Sequence, residues 1–226
     1  MGERFYGFSR WCVRRLFACL GGLEVKGREN VPETGPLIVA ANHASCLDPM
    51  LLGAALDRSL HFLARRTLFD IPGFGWLIRQ NQAFPLEREG DSRDALRIFG
   101  RLLEQGRAVV MFPEGTRSRD GAMGEMRPGL GMLAARSLAP VLPAYIWGSF
   151  QSLPRDRFLP RRHRFKVLLG PPVPPGREGS RLDRRRVNET FGQSIRGLER
   201  EAWRGEKDVP PILAKSREVA AREGNP

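Results

Sequence analysis

Cysteine is scarce in this chain, with three residues in 226, at positions 12, 19 and 46. Their spacing fits no metal site and their number no paired disulfide framework, which points to a reducing, intracellular setting. Long apolar runs are missing as well. Residues 1–22 place Phe5, Phe8, Trp11, Cys12, Leu16, Cys19 and Leu20 at helical spacing, but Arg4, Arg10, Arg14 and Arg15 interrupt them. That excludes a spanning helix, and the segment also lacks the apolar core and small-residue cleavage site of a signal peptide. There is no internal repeat and no aromatic–basic RNA-binding motif. Lysine is nearly absent, with four among 37 basic residues.

What is present is arginine. Against 25 acidic residues the basic excess leaves a formal charge of +12. Such a balance suits an anionic partner: a membrane surface, a phosphorylated substrate or nucleic acid. Arginine-rich coding bias is the competing explanation. An apolar content of 41% and a charged content of 27% describe a globular chain. Its length suits one α/β domain.

The most informative stretch is Asn42-His43-Ala44-Ser45-Cys46-Leu47-Asp48-Pro49. It follows the apolar run 37–41 and precedes another at 50–56. The first reads as a buried strand and the second as a helix opened by Asp48-Pro49. In open α/β sheets, ligands bind where a strand hands over to a helix. A histidine with a carboxylate five positions on can act as a general base, the carboxylate fixing the tautomer and stabilising the imidazolium. On a continuous helix the two would point about 140° apart, so they meet only if the chain turns between them. The plainer reading makes Asp48 a helix cap, or Ser45 and Asp48 a capping box.

A second stretch, Phe112-Pro113-Glu114-Gly115-Thr116-Arg117-Ser118, also follows a strand-like run at 108–111. Between them lies Gln82-Ala83-Phe84-Pro85-Leu86-Glu87-Arg88, and after them Pro140-Val141-Leu142-Pro143-Ala144-Tyr145-Ile146. These four blocks, in this order, resemble the glycerolipid acyltransferase family, whose best-known members are the lysophosphatidic acid acyltransferases. Gln82 and Glu87 stand where that pattern usually has Gly and Asp, so within its block Arg88 alone carries over.

The resemblance implies transfer of a fatty acyl group from acyl-CoA or acyl carrier protein to the free hydroxyl of lysophosphatidic acid, giving phosphatidic acid in phospholipid biosynthesis. It makes His43 the general base and Asp48 its orienting partner. Arg88 and Arg117 would hold the acceptor phosphate, Glu114, Gly115 and Thr116 would shape its pocket, and Asn42 would help position the loop. No metal or bound cofactor is implied. The family pattern treats position 46 as variable, so a covalent route through Cys46 is not expected. Two alternatives stay open: a related enzyme acting on glycerol-3-phosphate or another lysolipid, and a basic nucleic-acid-binding protein, which would leave the His-Asp knot unexplained.

The expected architecture is α/β: a single domain with a mixed, largely parallel central sheet flanked by helices, preceded by an N-terminal amphipathic helix. The divisions are a basic membrane-contact helix over 1–22, an acyltransferase domain over 23–204 and a loosely held tail over 205–226. Strands are predicted at 23–27, 37–41, 60–64, 84–86, 108–112, 141–147 and 165–169, and helices near 48–56, 92–104, 130–137 and 184–203. The apolar stretch 71–78 reads as a wall of an acyl-chain groove or as a loop packed on the core. A basic helix with Trp and Phe suits a membrane interface, here the cytoplasmic face. The run 155–166, six basic residues against Asp156, reads as a solvated face or a second membrane contact.

Overall fold

A computed structural model describes residues 2–87, 92–175 and 181–206. Seven strands form one sheet: β1 (Leu23–Lys26), β2 (Leu37–Ala41), β3 (Leu60–Arg65), β4 (Ala83–Leu86), β5 (Ala108–Met111), β6 (Val141–Trp147) and β7 (Phe165–Leu169). Their order is β1-β7-β6-β2-β5-β3-β4. Every pairing is parallel except β6 with β7. The mixed, largely parallel sheet expected from the sequence is therefore the one observed. Pro85 sits in β4, an edge strand, where its missing N–H costs no ladder bond.

Central strands covered on both faces need apolar residues at every position rather than at alternate ones. β2 meets that need, with all five residues fully buried. Leu37, Val39 and Ala41 point to one face, and Ile38 and Ala40 to the other. β6 divides in the same way, Leu142, Ala144 and Ile146 against Val141, Tyr145 and Trp147. One face is packed by α1 (Gly2–Leu20) and α2 (Asp48–Ala55). The other is covered by α4 (Ser92–Glu104), α5 (Gly129–Ser137) and α7 (Arg181–Ala202). On that second face a buried polar chain fastens α7: Trp203 Nε1 donates to the Tyr145 hydroxyl at 3.0 Å, which donates to Glu199 at 3.1 Å.

The N-terminal helix is amphipathic, but its arginines are used differently from the expectation. Tyr6 and Phe17 are buried against the domain, and Phe17 meets the Phe165 ring at 4.9 Å. Arg14 Nε donates to the Ala54 carbonyl at 2.8 Å, and Arg10 to that of Leu56 at 3.2 Å. Both cations thus cap the C-terminal carbonyls of α2, where the helix dipole favours positive charge. Arg14 also pairs with Asp57. The side facing away from the domain carries Phe8, Trp11 and Leu16, all exposed, with Arg15 over the Trp11 ring. Among the described residues no helix is long and apolar enough to cross a membrane.

The stretch 71–78 contains a helix that periodicity did not reveal, α3 (Phe74–Gln80). It starts after Gly73 in a left-handed conformation, and Gly75 packs so tightly on the Phe69 backbone that a Cβ would collide with it. Phe74, Trp76 and Leu77 remain exposed on α3, and Phe5 of α1 meets Trp76 edge-on at 5.2 Å. A four-residue helix, α6 (Ser149–Ser152), completes the elements. The tail expected from residue 205 lies outside the described residues from 207 onward.

Candidate active site

The site is built at the C-terminal ends of β2, β5 and β6. Where β2 ends, the backbone leaves the sheet, and the side chain of Asn42 takes over its hydrogen bonding. Asn42 Nδ2 donates to the Ile146 carbonyl at 2.9 Å, and the Ile146 N–H donates to Asn42 Oδ1 at 2.7 Å. A side-chain amide has the same donor–acceptor pair as a peptide, so β2 and β6 stay joined while the chain turns away. Asn42 is buried with both polar atoms engaged. Grouped among the substrate-binding candidates, Asn42 has its amide engaged with β6, in keeping with the loop-positioning part expected of it.

The turn after Asn42 brings His43 and Asp48 together. His43 Nδ1 lies 2.8 Å from Asp48 Oδ2. The same oxygen accepts the N–H groups of Ala44 at 2.7 Å and Ser45 at 2.8 Å. One carboxylate thus ties the backbone of the loop ahead of α2 and orients the imidazole, while the N-cap residue of α2 is Leu47, with no side-chain cap. Asp48 is fully buried at the first turn of α2, where the helix dipole favours an anion. Since Asp48 Oδ2 is an acceptor, Nδ1 carries the ring hydrogen, and the Nε2 lone pair has no partner among the described residues. The side chain of His43 is 18% exposed, enough for Nε2 to meet a bound molecule.

The second motif supports the first. Phe112 stacks on the His43 ring, centroids 4.0 Å apart and planes at 14°. Glu114 Oε1 accepts the His43 N–H at 2.8 Å, and Oε2 accepts that of Gly124 at 2.8 Å. The Ser118 N–H donates to the His43 carbonyl at 2.7 Å. The backbone of His43 is thus gripped at both its donor and its acceptor by the 112–118 loop. Burial pushes the Glu114 carboxyl above its ordinary value, while its bonds from Gly124 and His43 pull the other way. Like Asn42, Glu114 is spent on the scaffold of the site rather than on substrate.

Gly115 has φ of 70°, and the Arg127 side chain lies where a Cβ would sit. Gly115 and Thr116 are exposed, and Arg117 is half-buried. Among the described residues the Arg117 guanidinium has no ion pair or hydrogen bond, and Glu114 is fully engaged elsewhere. The structure brings this loop against His43, as the sequence expected, but the sequence did not reveal Phe112 as the ring partner or Arg127 beside Gly115. The first was visible only as an aromatic at a strand end, and the second had no signal. Arg88, expected at this site, lies outside the described residues. His61 is buried with Nδ1 3.0 Å from the Ala108 carbonyl. Cys46 is a free, exposed thiol.

Taken as chemistry, the site offers an oriented imidazole with a bare nitrogen and a free guanidinium on the neighbouring loop. Comparison with known proteins identifies the family. The family model described as Acyltransferase matches residues 22–147. The chain is similar to a 1-acyl-sn-glycerol-3-phosphate acyltransferase of Bacillus subtilis, 26% identical over 169 residues, covering 74% of this chain and 82% of that one. A chloroplastic protein of the same description from Arabidopsis thaliana is 35% identical over 166 residues, covering 71% of this chain and 45% of that one. The crystal structure of a 1-acyl-sn-glycerophosphate (LPA) acyltransferase from Thermotoga maritima superposes with a TM-score of 0.71. It shares 30% identity over 85% of this chain and 79% of that one.

Proposed function

The chain belongs to the Acyltransferase family and is an acyltransferase, and from that premise we propose that it acylates the free hydroxyl of lysophosphatidic acid, yielding phosphatidic acid. The observation that carries this reading is the 2.8 Å contact between His43 Nδ1 and Asp48, which leaves Nε2 bare beside the loop of Arg117.

Nε2 of His43 takes the proton from the acceptor hydroxyl as its oxygen attacks the thioester carbonyl of the donor. A C–O bond forms, the C–S bond breaks, and the proton passes from the imidazolium to the departing thiolate. Asp48 stabilises the imidazolium, and Phe112 keeps the ring from swinging. Proton transfer of this kind is worth roughly 10²–10⁴-fold in rate. Arg117 holds the acceptor phosphate through its paired N–H groups, with Arg88 as its expected second contact. The donor is a thioester of coenzyme A or of acyl carrier protein, a substrate rather than a resident cofactor. Phosphatidic acid would feed phospholipid synthesis.

A lipid acceptor puts the enzyme at a membrane, and the outward Phe8, Trp11 and Leu16 of α1, with Phe74 and Trp76 of α3, supply an apolar surface for peripheral attachment at the cytoplasmic face. The decisive test is acyl transfer by His43→Ala. The variant should lose at least about 10²-fold in turnover with the melting temperature retained. Near-normal turnover in that folded variant would end the mechanism.

A further inference from the structure

The chain between α6 and β7 makes a loop with a tied neck and a bare tip. At the neck, the Arg161 N–H donates to the Ser152 carbonyl at 2.9 Å, and Ser152 Oγ donates to the Arg161 carbonyl at 2.7 Å. Ser152 itself is fully buried. At the tip, Phe158 is 96% exposed and Leu159 79%, more than any other large apolar side chain among the described residues. Pro154 and Pro160 bracket the tip and limit its freedom to fold back. Arg155, Arg157, Arg161 and Arg162 flank it along the chain against a single Asp156, and none of the four makes an ion pair among the described residues. Two adjacent apolar side chains held out in water on an arginine-rich loop suit a surface that is anionic outside and apolar beneath.

We infer that this loop is a second membrane anchor, which inserts Phe158 and Leu159 into an anionic lipid surface while its arginines meet the phosphate headgroups. The inference rests on the reading that the acceptor is a lipid. Two connections favour a bilayer over an acidic protein as the occupant. The His163 N–H donates to the Leu20 carbonyl at 2.8 Å, so the loop's return to β7 is bonded to the end of α1, which carries an outward apolar side. Ser45 Oγ donates to the Leu153 carbonyl at 2.6 Å, so the neck is bonded to the His43–Asp48 turn. The anchor therefore sets the catalytic loop at a fixed height over the surface from which the acceptor must come.

The test uses the full chain carrying Phe158→Ser and Leu159→Ser together, and separately Arg157→Glu with Arg161→Glu. Binding is measured by sedimentation with vesicles of phosphatidylcholine, alone or mixed with phosphatidylglycerol. Turnover is measured on lysophosphatidic acid both in those vesicles and dispersed in detergent. Loss of two inserting side chains should weaken binding to both vesicle types about tenfold or more, with detergent turnover and melting temperature unchanged. The charge variant should weaken binding only to the anionic vesicles, and added salt should erase its difference from the parent protein. Unchanged vesicle binding in both variants overturns the inference. So does unchanged vesicle binding with turnover lost only when acyl carrier protein is the donor, which makes the loop a protein dock. If the parent protein fails to acylate lysophosphatidic acid while the variants still lose vesicle binding, the acceptor assignment fails and the anchor stands.

Discussion

Replacing Glu114 by Gln changes one oxygen to an amide and almost nothing in volume, so it isolates what the two oxygens do. Each accepts a backbone N–H at 2.8 Å, from His43 and from Gly124. Glutamine has one acceptor, so one of those N–H groups must face an NH₂. A hydrogen bond to a charged group contributes about 1.5–3 kcal/mol. Against that, a neutral amide is less costly to bury than the carboxylate, whose protonation burial already favours. The balance is a destabilisation of about 1–2 kcal/mol, which lowers Tm by roughly 2–8 °C for a domain of this size. The larger effect should be kinetic. His43 would lose a backbone anchor, and a shift approaching 1 Å in a reacting group costs on the order of 10²-fold. The assay is steady-state turnover against acceptor concentration at saturating donor, with Tm measured alongside. Positioning predicts a kcat lower by about 10–100-fold and an acceptor KM within about twofold of the parent. A several-fold rise in acceptor KM, with kcat and Tm intact, would show that Glu114 touches the acceptor and refute the scaffold assignment.

Other substitutions address separate parts of the molecule. Arg117→Lys keeps the charge but loses the planar fork, so acceptor KM should rise by about tenfold and the preference for phosphorylated over unphosphorylated lyso-acceptors should shrink. A drop of several degrees in Tm with that preference intact would instead assign Arg117 to the fold. Arg14→Ala should lower stability by about 0.5–1 kcal/mol through the uncapped Ala54 carbonyl and leave vesicle binding alone. Phe8→Ser with Trp11→Ser should do the reverse, and exchanged results would sink this division of α1 into two faces. Burial sets the Glu199 carboxyl above its ordinary value, while its bond from Tyr145 and the nearby Arg196 pull the other way. The folded state therefore binds a proton that the unfolded chain has released, and stability falls as pH rises from about 4.3 through the raised folded value. Glu199→Gln should flatten that part of a Tm-against-pH curve, although Glu114 adds a slope of the same sign. An unchanged slope would mean Glu199 does not titrate there.

The sheet was legible because its central strands are apolar at every position and bounded by Gly or Pro. β6 and α4 begin and end where pattern and caps place them. α3 was hidden because its seven residues are too few for a period to show, and Gly73 before it with Gly75 inside it read as a loop. At the site, the pairing of His43 with Asp48 could be read from residue types, since chemistry limits what a histidine and a nearby carboxylate after a strand can do. The bonding partners of Asn42 and Glu114 could not. Each polar side chain looks equally suited to a ligand until the backbone groups that claim it are known, and those come from residues 104 and 71 positions away. The bonds of Arg10 and Arg14 in α1 were hidden for the same reason. Periodicity tells which residues share a helix face, but not that the C-terminal carbonyls of α2 will meet Arg10 and Arg14.

The grip of the 112–118 loop on His43 gives the enzyme an interlock. An imidazole near a thioester can also hand the acyl group to water, and a partly ordered chain with a free histidine would waste donor in that way. Asp48 alone does not fix the ring: its stacking partner and both backbone contacts arrive on the loop just past β5, once that strand has paired with β2. Reactivity is thus withheld until the sheet is assembled. A chain whose centre opens loses the orientation of its base at the same moment, so damage to this fold turns the catalyst off rather than turning it into a hydrolase.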